Sequence, residues 1–129
     1  MALTPERVLK ADFRKDSDKQ GIQRALRNFK SCRDYPMDED LPFQSVEKLL
    51  SSMMLKYAID PLDFFAVKQD GNESNIVWSC GIKKLDGHSW LGTAYGLTLY
   101  EVVCKVVLFL FLNIKSGAIG LRNETTHLH

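Results

Sequence analysis

Histidine and cysteine, the side chains that most often bind transition metals, are few in this sequence and lack paired spacing. His127 and His129 stand two apart, and neither Cys80 nor His88 has a second ligand at the spacing of a zinc finger. A structural zinc ion needs four such ligands. The sequence therefore predicts no metal site, and it contains no motif that indicates another cofactor.

An acidic run and one cysteine are the remaining candidates for chemistry. Asp38-Glu39-Asp40 lacks the glycine and the distal glutamate of a calcium loop, so we interpret it as solvated. Cys104 lies in an apolar segment, where burial raises the pKa of a thiol and lowers its reactivity. No nucleophile elbow or glycine-rich phosphate loop is present. We predict that the protein is not an enzyme. A site assembled from dispersed residues is the enzymatic alternative.

Charge is unevenly distributed along the chain, although the net charge is only +1. Residues 1–33 contain nine Lys or Arg and four Asp or Glu, whereas residues 34–63 contain two and seven. The low net charge argues against coating of nucleic acid by the whole surface. The candidate partner-binding residues are the basic face of the second predicted helix and the acidic loop that follows it: Arg24, Arg27, Lys30, Asp38, Glu39 and Asp40.

The hydrophobic pattern of the first sixty residues predicts three helices. Thr4-Pro5-Glu6 has the residue types of a helix start, and this helix extends to about Phe13. Ser17 or Asp18 caps the second helix, and Asp60-Pro61 ends the third. Apolar residues at helical spacing are Ile22, Ala25, Leu26 and Phe29 in the second and Val46, Leu49, Leu50, Met53, Met54 and Tyr57 in the third.

The hydrophobic period then changes to two, which is typical of strands. Three strands are predicted at residues 62–69, 75–85 and 88–97, with a tight turn at Asp86-Gly87. Along the middle strand, the face predicted to be buried carries Ile76, Trp78, Cys80 and Ile82.

Residues 99–114 are very apolar and predict the last helix. Thr98 and Glu101 have the spacing of a capping box, and Gly117 suits the C-cap. The segment is too short to span a membrane, which takes about 20 apolar residues. Because it is apolar on most sides, the sheet and the third helix or a second copy must cover it. A homodimer through residues 98–114 is one expected arrangement.

Together the elements predict an α+β fold, with N-terminal helices followed by an α-β-β-β-α core. In that core a three-stranded antiparallel meander packs under the apolar C-terminal helix. The single domain divides into a basic helical arm with its acidic loop (1–40), the core (41–117) and a polar tail (118–129). Three cysteines without paired spacing and the lack of a hydrophobic block in residues 1–14 predict a cytoplasmic location, with no membrane contact.

The order of the core elements resembles that of the double-stranded-RNA-binding domain over about residues 43–114. That family contacts phosphates through a lysine-rich start of its final helix, whereas residues 96–101 contain no Lys or Arg. The resemblance implies the topology. Nucleic-acid binding is the alternative function, and its candidate residues are Lys19, Arg24, Arg27, Lys83 and Lys84.

The last strand and helix are similar to the end of small bacteriophage proteins of the ABA-sandwich type. The likeness runs from Ala94 to Leu108, with Thr98-Leu99 and then Val103-Cys104-Lys105 ahead of an apolar run. Trp78 in the meander adds to it. The resemblance implies this fold and a phage or prophage origin, hence the cytoplasm of an infected or lysogenic cell, and transfers no catalytic residues.

The leading hypothesis is a non-enzymatic small phage-type binding protein that acts through a protein partner. In this hypothesis it inhibits a host or antiviral-defence protein by occluding it. The hypothesis depends on the missing catalytic constellation, the very apolar last helix and the separated regions of opposite charge.

Overall fold

The computed structural model describes residues 3–59, 64–68, 76–84 and 90–122. The described elements, in chain order, are α1 (Pro5–Lys10), α2 (Asp16–Leu26), a 3-10 turn (Lys30–Cys32), α3 (Phe43–Lys56), β1 (Phe64–Lys68), β2 (Ile76–Lys83), β3 (Trp90–Gly96) and α4 (Leu99–Lys115). The predicted α+β class is confirmed, with N-terminal helices and an antiparallel hairpin of β2 and β3 packed against the C-terminal helix.

The two N-terminal helices are shorter than their sequence patterns suggest. The Thr4 hydroxyl accepts a hydrogen bond from the Arg7 N–H at 3.2 Å, as expected for an N-cap, but α1 ends at Lys10. Helix α2 begins at Asp16 without a side-chain cap. Asp18, predicted as a candidate cap, instead accepts from the Asp12 N–H at 2.9 Å and so closes the turn between the two helices.

Helix α3 confirms the strongest periodic signal in the sequence. Val46, Leu50 and Met53 are buried, and their neighbours on the same stripe are half-buried against the core. The helix ends at Lys56, before the predicted stop.

The strands pair in the order β1-β2-β3, and both pairings are antiparallel. The register between β2 and β3 shifts at Ile82 and Lys83, so that Lys83 pairs with Trp90. Cys80 and Ile82 are fully buried on the predicted core face. The predicted turn at residues 86–87 lies outside the described residues.

Helix α4 is covered from within the chain along most of its length. Every residue from Glu101 to Leu110 is buried, and α1, α2, α3, β2 and β3 all contact the helix. Cover ends at Phe111 and Leu112, which are half-buried. The helix closes at Ser116, followed by Gly117 with φ of +86°, a conformation that favours glycine.

The segment after α4 packs on the core, although the sequence suggests a polar tail from residue 118. Ile119 is buried, and Leu121 forms an isolated bridge with Tyr57. The Arg122 guanidinium donates to the carbonyl oxygens of Met54 and Ile59 at the end of α3. The described residues therefore pack on the core as far as Arg122.

Candidate functional site

The predicted basic face of α2 includes one arginine that the fold itself uses. Arg27 is buried, and its Nη2 donates to the carbonyl oxygens of Pro36 at 2.6 Å and Glu39 at 2.5 Å. Its Nε donates to the Tyr35 carbonyl at 3.3 Å. Arg27 therefore anchors the acidic loop to α2, whereas Arg24 and Lys30 are exposed.

The acidic loop lies against α2, so the two regions of opposite charge face each other. Lys19 forms an ion pair with Asp40 at 2.9 Å, and the Gln23 amide donates to the same carboxylate at 3.1 Å. Burial raises the pKa of Asp40, but hydrogen bonds from Lys19 and Gln23 outweigh it and hold this pKa below its ordinary value. Asp38 and Glu39 are exposed. A cavity of about 390 Å³ between α2 and the loop is lined by both basic and acidic side chains, so it favours neither an anionic nor a cationic ligand.

A larger depression lies where cover of α4 ends, between α1, α2 and the C-terminal part of α4. We call it the α1–α2–α4 groove. Its volume is about 840 Å³, within the range of pockets that hold ligands. Its lining comprises Leu3, Arg7, Lys10, Ala11, Ser17, Asp18, Gly21, Ile22, Arg24, Ala25, Asn28, Leu108, Phe111, Leu112 and Lys115.

The floor of this groove is apolar and is formed by α2 and α4. Ile22 and Leu108 are buried beneath it, and Ala25, Phe111 and Leu112 are half-buried along it. The Phe111 ring meets Phe29 edge to face with centroids 4.8 Å apart. This contact holds the Phe111 ring from one side.

The rim of the groove is basic. Arg7 and Lys10 come from α1, Arg24 from α2 and Lys115 from α4, each in the last turn of its helix. The lining includes one carboxylate, Asp18, which accepts the Asp12 N–H. Of the six residues predicted to bind a partner, the groove includes Arg24 alone.

A second exposed surface lies on the outer face of the hairpin. The Lys83 ammonium stands 4.3 Å from the centroid of the Trp90 ring, and a Cβ on Gly81 would lie 2.6 Å from that ring. Trp90 is 62% exposed and Tyr95 is 55% exposed. Lys84 is half-buried. Lys83 lies in β2, whereas Lys19 and Arg27 contact the acidic loop.

A buried ion pair holds the start of α4, and the sequence reading missed it. The Thr98 hydroxyl accepts from the Glu101 N–H at 3.1 Å, which confirms that part of the predicted capping box. The Glu101 carboxylate turns inward, accepts from the N–H groups of Leu97 and Phe13, and lies 2.9 Å from the Lys105 ammonium. Glu101 is 4% exposed and Lys105 is 3% exposed. Their i,i+4 spacing in an apolar helix was the available signal.

Two further polar side chains of α4 are inert, one half-buried (Tyr100) and one buried (Cys104). Tyr100 donates to the Leu41 carbonyl at 2.7 Å, and burial raises the pKa of its phenol well above the ordinary value. Burial also raises the pKa of Cys104 to about 12, so this thiol is protonated at neutral pH. Neither group is poised for acid–base or nucleophilic chemistry.

Within the described parts of the chain, no group of three or more His, Cys, Asp and Glu side chains is arranged to hold a metal ion. Searched over the same residues, no helix has the length and hydropathy needed to cross a bilayer. No family model, curated protein or solved structure matches this chain.

Proposed function

We propose that this protein is a non-enzymatic binding protein that seats a helix of another protein in the α1–α2–α4 groove. The observation that carries the proposal is the half-buried floor of Ala25, Phe111 and Leu112 at the end of an otherwise covered helix. A partner that covers these side chains would remove apolar area from water, which favours association. Occlusion of a host or antiviral-defence protein is the use that a phage-type binding protein would have for it.

The geometry favours a helix as the bound segment. The groove is bordered by three helices, whose backbone groups are bonded within each helix, so an added strand would find no open edge to pair with. An amphipathic helix needs only an apolar floor and bordering side chains. The occupant is therefore a helix that presents one apolar stripe.

A partner of different sequence is favoured over a second copy. The expected homodimer depended on α4 needing cover, and the chain itself covers Glu101 to Leu110. The most exposed large apolar side chain on α3 is Leu55, at 80%, and Ser51 and Ser52, its exposed neighbours one turn earlier on the same face, are polar. A twin would thus offer an interrupted apolar stripe.

Gly21 allows the groove to be filled without disturbing the core. It lies in α2 and lines the groove, and a Cβ there would meet no atom within 4 Å. The experiment is selection of helical peptides from a display library on the wild-type protein, followed by affinity measurements on Gly21→Trp and its control Gly21→Ala. We expect Gly21→Trp to weaken binding at least about tenfold and Gly21→Ala to retain it. Circular dichroism verifies that both variants fold.

Two outcomes would overturn this proposal. Selected peptides that bind Gly21→Trp as tightly as wild type would place the binding surface elsewhere. A wild-type dimer in light scattering that Gly21→Trp dissociates would make a second copy the occupant.

Nucleic-acid binding is the second candidate, favoured by the outer face of the hairpin. Exposed aromatic rings beside a lysine are the elements with which proteins stack single-stranded bases and neutralise phosphates. Trp90, Tyr95 and Lys83 supply them here. Val77 and Ser79 are buried in the same hairpin, so the open area is small.

The test is titration of a labelled single-stranded oligonucleotide at two salt concentrations. This candidate requires affinity that weakens with salt and is lost in Trp90→Ala, with Leu55→Ala as the control. Absence of binding, or binding that Trp90→Ala leaves intact, would reject it.

A further inference from the structure

The rim of the groove carries information about the partner that its floor does not. Resting on the proposed function, we infer that the helix seated in the α1–α2–α4 groove is acidic, with Asp or Glu side chains flanking its apolar stripe. Lys10, Arg24 and Lys115 come from three helices and line one depression. All three are exposed, so none is committed to the core.

The partial negative charges at the C-terminal ends of the helices neutralise only part of this positive charge. Each of the three cations lies in the last turn of its helix, where it offsets a partial negative charge of about half a unit. A full positive charge at each end therefore leaves an excess of positive charge at the rim. Asp18, the carboxylate in the lining, lies at the first turn of α2, where it is attracted to the positive end of that helix.

The other carboxylates on these helices do not line the groove. Glu6 lies one turn before Lys10 on α1, and Asp16 lines the smaller cavity by the acidic loop, which Arg24 also borders. Glu101 on α4 is buried with Lys105. The groove thus combines an apolar floor with cations on all three sides, which complements an acidic amphipathic helix.

Charge also disfavours α3 of a second copy as the occupant. The exposed face of α3 carries Glu47 together with Lys48 and Lys56, so a second copy would bring more basic groups to a basic rim. Like charges brought together at an interface disfavour binding.

The experiment uses the whole 129-residue chain and three synthetic helices roughly four turns long. The peptides share one leucine stripe, and the flanking positions are Glu in the first, Gln in the second and Lys in the third. Affinities are measured by calorimetry at low and high salt. We expect the Glu peptide to bind about tenfold tighter than the Gln peptide at low salt, and this preference to shrink as salt screens the charges.

A charge-reversal pair localises the effect. Arg24→Glu combined with Lys115→Glu should invert the order, so that the Lys peptide binds best. The matched control is Lys48→Glu combined with Lys56→Glu, which changes the net charge equally on α3 and should preserve the preference for Glu. All four positions are exposed, and circular dichroism verifies the fold.

The outcomes separate the two proposals. Equal affinity for the Glu and Gln peptides would overturn the acidic partner while leaving a helix-binding groove intact. Failure of all three peptides to bind would overturn both. If dodecanoate binds instead, and loses affinity in the Arg24 and Lys115 variant, the ligand is an anionic amphiphile and the inferred helix is wrong.

Discussion

The two ends of helix α4 are both largely apolar but have very different surroundings. From Glu101 to Leu110 every residue is buried, including a carboxylate and an ammonium that pair with each other. From Phe111 to Lys115 the helix is mostly half-buried or exposed and forms one side of the groove. The difference arises where α1, α2 and the hairpin stop covering the helix, since Phe111, Leu112 and Ile114 continue its apolar pattern. The proposed binding surface forms where the apolar helix α4 continues beyond the elements that pack over it.

The largest expected difference between the two ends concerns their lysines. Lys105→Met removes the cation beside a buried Glu101 and should lower the free energy of unfolding by about 3–5 kcal/mol. Lys115→Met, at the exposed end, should change it by less than about 0.5 kcal/mol. Urea unfolding of both variants measures the contrast. Similar small losses would mean that water reaches Glu101 and that the covered end is open.

Two leucines provide the next comparison. Leu110 is fully buried, and its replacement by alanine should cost about 2–5 kcal/mol of unfolding free energy. Leu112 is half-buried, so Leu112→Ala removes less apolar area and should cost about 1 kcal/mol.

The same two substitutions should affect peptide affinity in the opposite order from their effect on stability. Leu112→Ala shortens a side chain on the groove floor and should weaken selected helical peptides, while Leu110→Ala should leave their affinity unchanged as long as the protein is folded. A peptide affinity that tracks stability in both variants would remove the distinction between scaffold and binding surface.

Sequence reading identified most of the elements because their signals are local. The stripe on α3 and the Thr98 cap each depend on residues within a few positions of one another, and both are confirmed. The groove depends on how far α1 and α2 extend over α4, which no local pattern records. Arg27 shows the same limit: its position on a basic face was visible, but its burial depends on a loop that folds back onto it.

The buried thiol of Cys104 makes the covered end sensitive to alkaline pH. Its pKa is about 12 in the folded protein against an ordinary value of 9.0. Below pH 9 both states keep the proton and the stabilisation is fully present. Between these pH values the unfolded chain loses a proton that the folded chain retains, so stability falls as pH rises, by at most about 1.4 kcal/mol per pH unit.

Comparison with Cys104→Ala removes this contribution together with the thiol's share in the raised pKa of Tyr100, whose raised pKa is otherwise due mainly to burial. From pH 9 to about 10.5 the wild type should lose about 2 kcal/mol more than the variant. Chemical denaturation at several pH values measures both slopes. Parallel slopes would show that the thiol titrates normally and that this end of α4 is accessible to water.

The smallest expected effect comes from the substitution of glycine by alanine in each of the two regions. We expect it to change the free energy of unfolding in opposite directions. At Gly21, on the groove wall, an added Cβ would meet no atom within 4 Å. Alanine is also the better helix former, so Gly21→Ala should raise the free energy of unfolding by about 0.5–1 kcal/mol. At Gly96, beside the covered end, a Cβ would lie 2.8 Å from Cγ of Glu101, whose carboxylate is held by the buried pair. Gly96→Ala should therefore lower the free energy of unfolding by about 1–3 kcal/mol, as overpacking does elsewhere. Thermal and urea unfolding measure the stability of both variants. A stabilising Gly96→Ala would show that the Glu101 side chain has room to move and that the covered end is loosely packed.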